Sequence, residues 1–282
     1  GEDRGVLLTV EGTVLLQLNI IAKQKQTLAQ TLVRALRESP SAPLKPFLFG
    51  MLLSLARVAK CEKHIFDYLQ DAVLAHYSCK GPKLPCRSWG ALQSAQEGQS
   101  FESLVDDMVS RSHEWDITIQ GLVDFGKSLV RATGVGARDR VGLLVGGAAG
   151  EGNPLLMRIM LGVYILTRAF ESHDAVRSDI LKQCQQEILN DSDCSIYYIH
   201  LLARLCIECK PAVAEHSGLV KECLDCFLVI LPGVAVHFFI SILPLLACTA
   251  DLKNYAVIVL RKAMFSRNCL LYTSPSPRDV LR

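Results

Sequence analysis

The chain has 282 residues, of which half are apolar, 7% aromatic and 21% charged, and its formal net charge is +2. A chain of this length can withdraw roughly 75% of its unfolded surface from water, so one large domain or two small ones can each hold a core. With charge this close to balance, charge alone argues for neither a nucleic-acid binder nor a membrane-surface protein.

The opening GEDRGVLLTVEGT contains no basic region, apolar core and cleavage site in succession, so no signal peptide is visible, and the chain is expected to begin within a longer protein. From there apolar residues recur at helical spacing in nearly every segment. Ser39-Pro40 punctuates the first of them. Ile65, Leu69, Val73 and His76 then mark one helical face, and Ser78 to Ser100 breaks the pattern with Gly81-Pro82, Pro85 and Gly90. Ile119, Leu122, Val123, Gly126 and Val130 mark the next face. Thr133 to Asn153 crowds seven glycines together and is read as a linker. Helical spacing resumes at residue 154 and runs past the punctuators Lys210-Pro211 and Leu231-Pro232-Gly233 to Arg267. After Asn268 the sequence CLLYTSPSPRDVLR has no helical periodicity and is set aside as a non-native-looking tail.

About ten to twelve helices and almost no alternating pattern predict an all-α fold. No fixed repeat period is visible. The expected architecture is therefore an irregular α-solenoid of stacked antiparallel helix pairs. The expected organisation is a first helical solenoid ending in 1–40, a helical domain over 41–132, a Gly-rich linker over 133–153, a second solenoid over 154–267 and the tail over 268–282.

Four features carry chemistry or mimic it. Cys206, Cys209, Cys223 and Cys226 form C-x2-C-x13-C-x2-C, near the spacing of a four-thiolate zinc site. The flanking sequences LLARLCIECK and LVKECLDCFLVI are helical, however, and reduced cysteine packs as a small hydrophobe, so core thiols are the preferred reading and no metal is expected. The eleven cysteines, odd in number and set mostly in helical segments, point to a reducing compartment, cytosol or nucleus.

Phe227 to Cys248 carries no formal charge and has the length of a membrane span. Pro232-Gly233, His237 and Pro244 divide it into two shorter buried segments, which makes membrane association the alternative rather than the preferred reading. Asp124-Phe125-Gly126 copies a kinase tripeptide with none of its companions, and the glycine cluster lacks a Gly-Lys-Ser/Thr ending. No nucleophile is found beside a base, so no catalytic residue, cofactor or enzymatic activity is expected. Arg34 with Arg37, and Arg261 with Lys262, are basic pairs at helical positions that could meet DNA or a partner, although phosphate binding normally needs a longer basic tract.

Several segments, taken in order, carry a resemblance. VEGTVLLQLNIIAKQKQTLAQTLVRAL (Val10 to Leu36), LLSLARVAKCEKHIFDYLQDAV (Leu52 to Val73), HEWDITIQGLVDFGKSL (His113 to Leu129), LGVYILTRAFESHDAVRSDILKQ (Leu161 to Gln183) and VIVLRKAMF (Val257 to Phe265) resemble the Fanconi anaemia group I family of nuclear α-solenoids. The matched segments would be the end of its first solenoid, its first helical domain and its second solenoid. The resemblance implies a nuclear, non-enzymatic scaffold in interstrand crosslink repair. It further implies a heterodimer with the paralogous Fanconi anaemia group D2 protein, binding to duplex or branched DNA, and monoubiquitination by a ligase complex. The family's acceptor lysine lies beyond V-L-R-K-A-M-F, so neither Lys253 nor Lys262 takes that role. The cysteine quartet is foreign to the family pattern, and GVAVHFFISIL replaces a segment that is polar and basic there. A generic helical-repeat adaptor is the other alternative.

Overall fold

The computed structural model describes residues 10–25, 27–38, 44–58, 61–79, 100–110, 116–131, 153–190, 194–225, 232–247 and 249–265. Among the described residues every regular element is a helix. The chain divides into two compact units, Gly1–Ser172 and His173–Arg282.

The first unit contains α1 (Val10–Gln24), α2 (Thr27–Glu38), α3 (Pro46–Ala56), α4 (Glu62–Cys79), α5 (Phe101–Ser110), α6 (Asp116–Val130) and α7 (Pro154–Ser172). Helix starts follow local chemistry: α3 opens on Pro46, whose missing N–H costs nothing in the first turn, and the Asn153 side chain caps α7 by accepting from the Leu155 N–H at 3.0 Å. Successive pairs stack in two rows. α1, α3 and α6 form one row, α2, α4 and α7 the other, and α5 lies against α3 and α7. The anticipated face Ile65, Leu69 and Val73 is fully buried, as are Leu122, Val123 and Val130.

Phe49, Phe66, Phe101 and Phe125 fill the centre of this unit. Phe49 stands edge-on to Phe101 at 6.5 Å and to Phe125 at 6.1 Å, and Phe66 meets Phe125 at 5.5 Å. Burying each ring contributes about 1.5–3 kcal/mol, with edge-to-face contact adding to that. His76, the last member of the anticipated α4 face, is half-buried and packs edge-on to Phe101 at 5.4 Å.

Helix α6 approaches both its neighbours through glycine. A Cβ on Gly121 would lie 2.5 Å from the Leu53 carbonyl oxygen of α3. A Cβ on Gly162 of α7 would lie 2.8 Å from the Gly126 carbonyl oxygen, and one on Gly126 2.9 Å from Ile165. Gly126 thus meets residue 165 while Leu129 and Val130 meet residue 162, so α6 and α7 run antiparallel.

The second unit contains α8 (Asp174–Leu189), α9 (Ser195–Glu208), α10 (Lys210–Glu215), α11 (Ser217–Asp225), α12 (Pro232–Leu246) and α13 (Ala250–Phe265). α9 lies between α8 and α12, α11 lies between α8 and α13, and the one-and-a-half-turn α10 bridges α9, α11 and α12. Tyr197, Tyr198 and Phe238 are the largest buried side chains of this core. Pro244 does not end its helix as the sequence suggested: α12 continues through it to Leu246. The proline sits in the last turn, where it forfeits one backbone bond, to a residue whose side chain is exposed, and the helix stops two residues later. Among the described residues no helix is long and apolar enough to cross a membrane. Residues 133–152 of the glycine-rich stretch, 80–99, 226–231 and the 268–282 tail lie outside the described residues.

Gly162→Ala is expected to lower stability by about 1–3 kcal/mol, because the new methyl meets backbone that cannot swing aside. Gly218→Ala in α11, where a Cβ meets nothing within 4 Å, is expected to gain up to about 1 kcal/mol. Equilibrium urea unfolding of the two variants checks the opposite signs.

Candidate functional site

Polar side chains tie consecutive helices at the margins of each core. In the first unit Asn19 donates to Ser54 Oγ, joining α1 to α3, and Arg57 reaches Asp124 of α6 at 2.7 Å. Gln70 donates to Ser128 Oγ at 3.2 Å, joining α4 to α6. Tyr77 donates to Glu102 at 2.6 Å, while Tyr164 at 2.7 Å and Arg168 at 3.0 Å converge on the Asp106 carboxylate. Burial first, then the neighbouring carboxylate, pushes the Tyr77 and Tyr164 hydroxyls well above the ordinary phenol range, so both act as fixed donors. In the second unit Lys221 pairs with Asp251 at 2.5 Å and Tyr255 donates to Asp225 at 2.8 Å, joining α11 to α13.

These ties account for the kinase-like tripeptide. Asp124 holds Arg57, Phe125 is a core ring with no exposed surface, and Gly126 makes the close crossing with α7. Each member has a packing role.

The basic residues singled out from sequence fall on two faces, one in each unit. Arg34 and Arg37 lie one turn apart on the exposed side of α2, and Arg37 is engaged at 3.3 Å by Asp71 of α4. Arg261 and Lys262 lie on the exposed side of α13 with Lys253, Asn254, Val257 and Ile258. Val257 and Ile258 are 40% and 47% exposed, so this face is apolar along its middle, with Lys253 at one end and Arg261 and Lys262 at the other. Leu252, Ala256 and Val259 form the buried stripe of the same helix.

Of the cysteine quartet, Cys206 is in the last turn of α9, Cys209 is the residue between α9 and α10, and Cys223 is on α11. All three are buried, and Cys226 lies outside the described residues. Burial, reinforced by Cys209, pushes the Cys206 thiol up to about 12, so without a metal it is a protonated core thiol. Among the described residues no group of three His, Cys, Asp or Glu side chains is placed to hold a metal.

Arg158 was not anticipated. It occupies the second turn of α7 and is 9% exposed, with Nε buried and without a hydrogen-bond partner. Burial lowers its pKa, and the Asp71 carboxylate partly opposes that shift. The signal was present in LLMRIMLG, where the arginine falls among the inward positions Leu156, Ile159, Met160 and Leu161.

Two measurements follow from the second unit. Cys206 should resist alkylation in the native chain and label fully in denaturant, and added cobalt(II) should give no thiolate charge-transfer band, as read by mass spectrometry and absorption. His200 is pushed down to about 4 by burial and then by Arg204, whereas the unfolded imidazole protonates near 6.5. Between those values the unfolded chain binds the proton preferentially, so stability held above pH 6.5 falls as pH drops toward 4. A loss of about 1–3 kcal/mol is expected, and His200→Gln should flatten the slope in urea titrations.

Comparison with known proteins places this architecture. The family model described as FANCI helical domain 1 matches residues 27–81, and FANCI solenoid 2 matches residues 118–270. Fanconi anemia group I protein of Gallus gallus is 28% identical over 271 residues, covering 92% of this chain and 20% of that protein. The Mus musculus homolog is 28% identical over 282 residues, with the same shares of 92% and 20%. The chain thus spans about a fifth of the length of the curated relatives it matches. With the stacked helix pairs of both units, a solenoid model that matches more than half of the chain shows that the chain belongs to the Fanconi anaemia group I family.

Proposed function

We propose that this chain is part of a non-catalytic nuclear scaffold acting in DNA interstrand crosslink repair. In this reading it pairs with the paralogous Fanconi anaemia group D2 protein, meets duplex or branched DNA, and is presented to a ubiquitin ligase complex whose acceptor lysine lies outside these residues. The observation that carries the reading is the family match over 118–270, a segment made of stacked helices whose polar residues tie helix to helix. The polar clusters described here are structural ties, and the thiol of Cys206 is held protonated by burial. Function then rests on surface.

Two surfaces suit that role. The face of α2 offers Arg34 together with Arg37, whose guanidinium Asp71 orients. The face of α13 offers Arg261 and Lys262 at the end of an exposed apolar strip. Each basic group that neutralises a phosphate releases a counterion, so it weakens binding as salt rises. A pair of such groups contributes to a larger footprint and does not define one alone.

Combined Arg261→Glu and Lys262→Glu should weaken duplex binding and flatten the log affinity against log salt slope by about 2, read by fluorescence anisotropy across a salt series. The Arg34→Glu and Arg37→Glu pair should behave alike. Unchanged affinity in both variants would remove these faces from the DNA footprint. Failure of the chain, within its full-length protein, to capture the D2 paralogue would overturn the scaffold reading itself.

A further inference from the structure

The outer layer of the second unit leaves apolar surface uncovered. α12 rests on α9 and α13 on α11, while α9 and α11 both pack on α8, so α12 and α13 form the layer farthest from α8. Phe238, Ile242 and Leu245 turn α12 inward, and Leu252, Ala256 and Val259 do the same for α13. On the opposite side of α12, Ile240 is 54% and Leu243 45% exposed. The opposite side of α13 carries the exposed Val257 and Ile258.

These strips belong to one surface. Residues 247–249 join α12 to α13 and the two helices pack together, so they run antiparallel. Ile240 precedes the end of α12 at Leu246 by about as much as Val257 follows the start of α13 at Ala250, which puts both at about the same height. Charge on this surface has one sign. Lys253, Val257 and Arg261 follow at i, i+4 and i+8, so they share a face of α13, with the two cations about 12 Å apart along its axis. Lys262 is exposed beside Arg261. Helix α12 carries no acidic residue, and Asp251, the acidic residue of α13, is drawn to α11 by Lys221 at 2.5 Å.

We propose that the outer face of α12 and α13 is the seat of an acidic amphipathic helix supplied by a partner protein. Apolar side chains at i, i+3 and i+4 spacing on the incoming helix cover Ile240, Leu243 and Val257, and carboxylates about eight residues apart on it meet Lys253 and Arg261. Charge selects this occupant. A second copy of the face would set its lysines and arginines against their like, which costs affinity, and a DNA backbone would meet the cations while offering the apolar strip nothing to pack on. The inference goes beyond the crosslink-repair reading, in which Arg261 and Lys262 meet DNA and the apolar strip has no part.

The test is fluorescence anisotropy of a labelled helical peptide with leucines at i, i+3, i+4 and i+7 and glutamates about eight positions apart, beside a version with lysine at each glutamate, against the full chain. The acidic peptide is expected to bind about tenfold more tightly than the lysine version. Ile240→Asp and Leu243→Asp should each weaken it about tenfold, and because both positions are exposed the fold should be unchanged in urea unfolding. Combined Lys253→Glu and Arg261→Glu should reverse the preference, so that the lysine peptide binds more tightly. Equal binding of the two peptides, or a preference that survives the charge reversal, overturns the seat and leaves only general apolar adhesion. Binding of a short duplex but not of the acidic peptide overturns it as well and makes the face a phosphate surface. Full-length protein is expected to bind the acidic peptide as this chain does. Loss of binding there would mean that another segment of the same protein covers the strip, and would overturn the partner.

Discussion

The close approach of α6 to its neighbours is the constraint on which the first unit depends. Gly121 and Gly126 are five residues apart, which places them about 140° apart around the helix. One faces the Leu53 carbonyl of α3 and the other the Gly162 turn of α7. A helix with glycine on two nearly opposed faces can sit as the middle member of a tight stack. Those short crossings bring Phe125, on the same helix, within ring contact of Phe49 and Phe66. Larger residues at the three glycines would separate the layers and open the aromatic cluster, since close-packed interiors transmit such a displacement to the side chains around it.

Polar contacts act differently. Arg37–Asp71, Arg57–Asp124 and Lys221–Asp251 are all substantially exposed, and pairs of this kind contribute only about 0–1 kcal/mol each. Their value is register. Each joins a helix to its neighbour in the stack at one height, so sliding by a turn would break the pair while leaving apolar area little changed. Asp106 does this with two donors at once, Tyr164 and Arg168, fixing α5 against α7 from a single carboxylate. In the second unit the fully buried thiols Cys184, Cys206 and Cys223 pack as small hydrophobes, alongside the large buried rings of Tyr197 and Tyr198 as members of its core.

Helical faces were legible because periodicity reports burial directly: Ile65, Leu69 and Val73, and Leu122, Val123 and Val130, are inward where the spacing put them. The family was legible because ordered packing strings survive at 28% identity. Pro244 misled, since a proline near a helix end costs far less than one in the middle, and the sequence alone does not say where the end lies. Gly126 was read as one more inward position; that it allows a backbone crossing depends on a partner, Gly162, far along the chain. Arg158 was hidden for a related reason. A charge within an apolar helical run signals burial only when the whole circumference of the helix is known to be covered, and that is a tertiary fact.

The family and the packing divide the chain at different places, and the difference has a physical cause. The solenoid 2 match begins at residue 118, inside α6, whereas the compact first unit extends through α7 to Ser172. By sequence, α6 and α7 open the second solenoid; by packing, they complete the core that α3, α4 and α5 begin. In a stack where each pair contacts only its neighbours, the hydrophobic core has no natural edge, and a boundary drawn by sequence signature need not be a plane of weak contact. The pair α6–α7 is therefore a joint, belonging by pattern to solenoid 2 and by packing to the first compact unit. The glycine crossing at Gly126 and Gly162 holds that joint together.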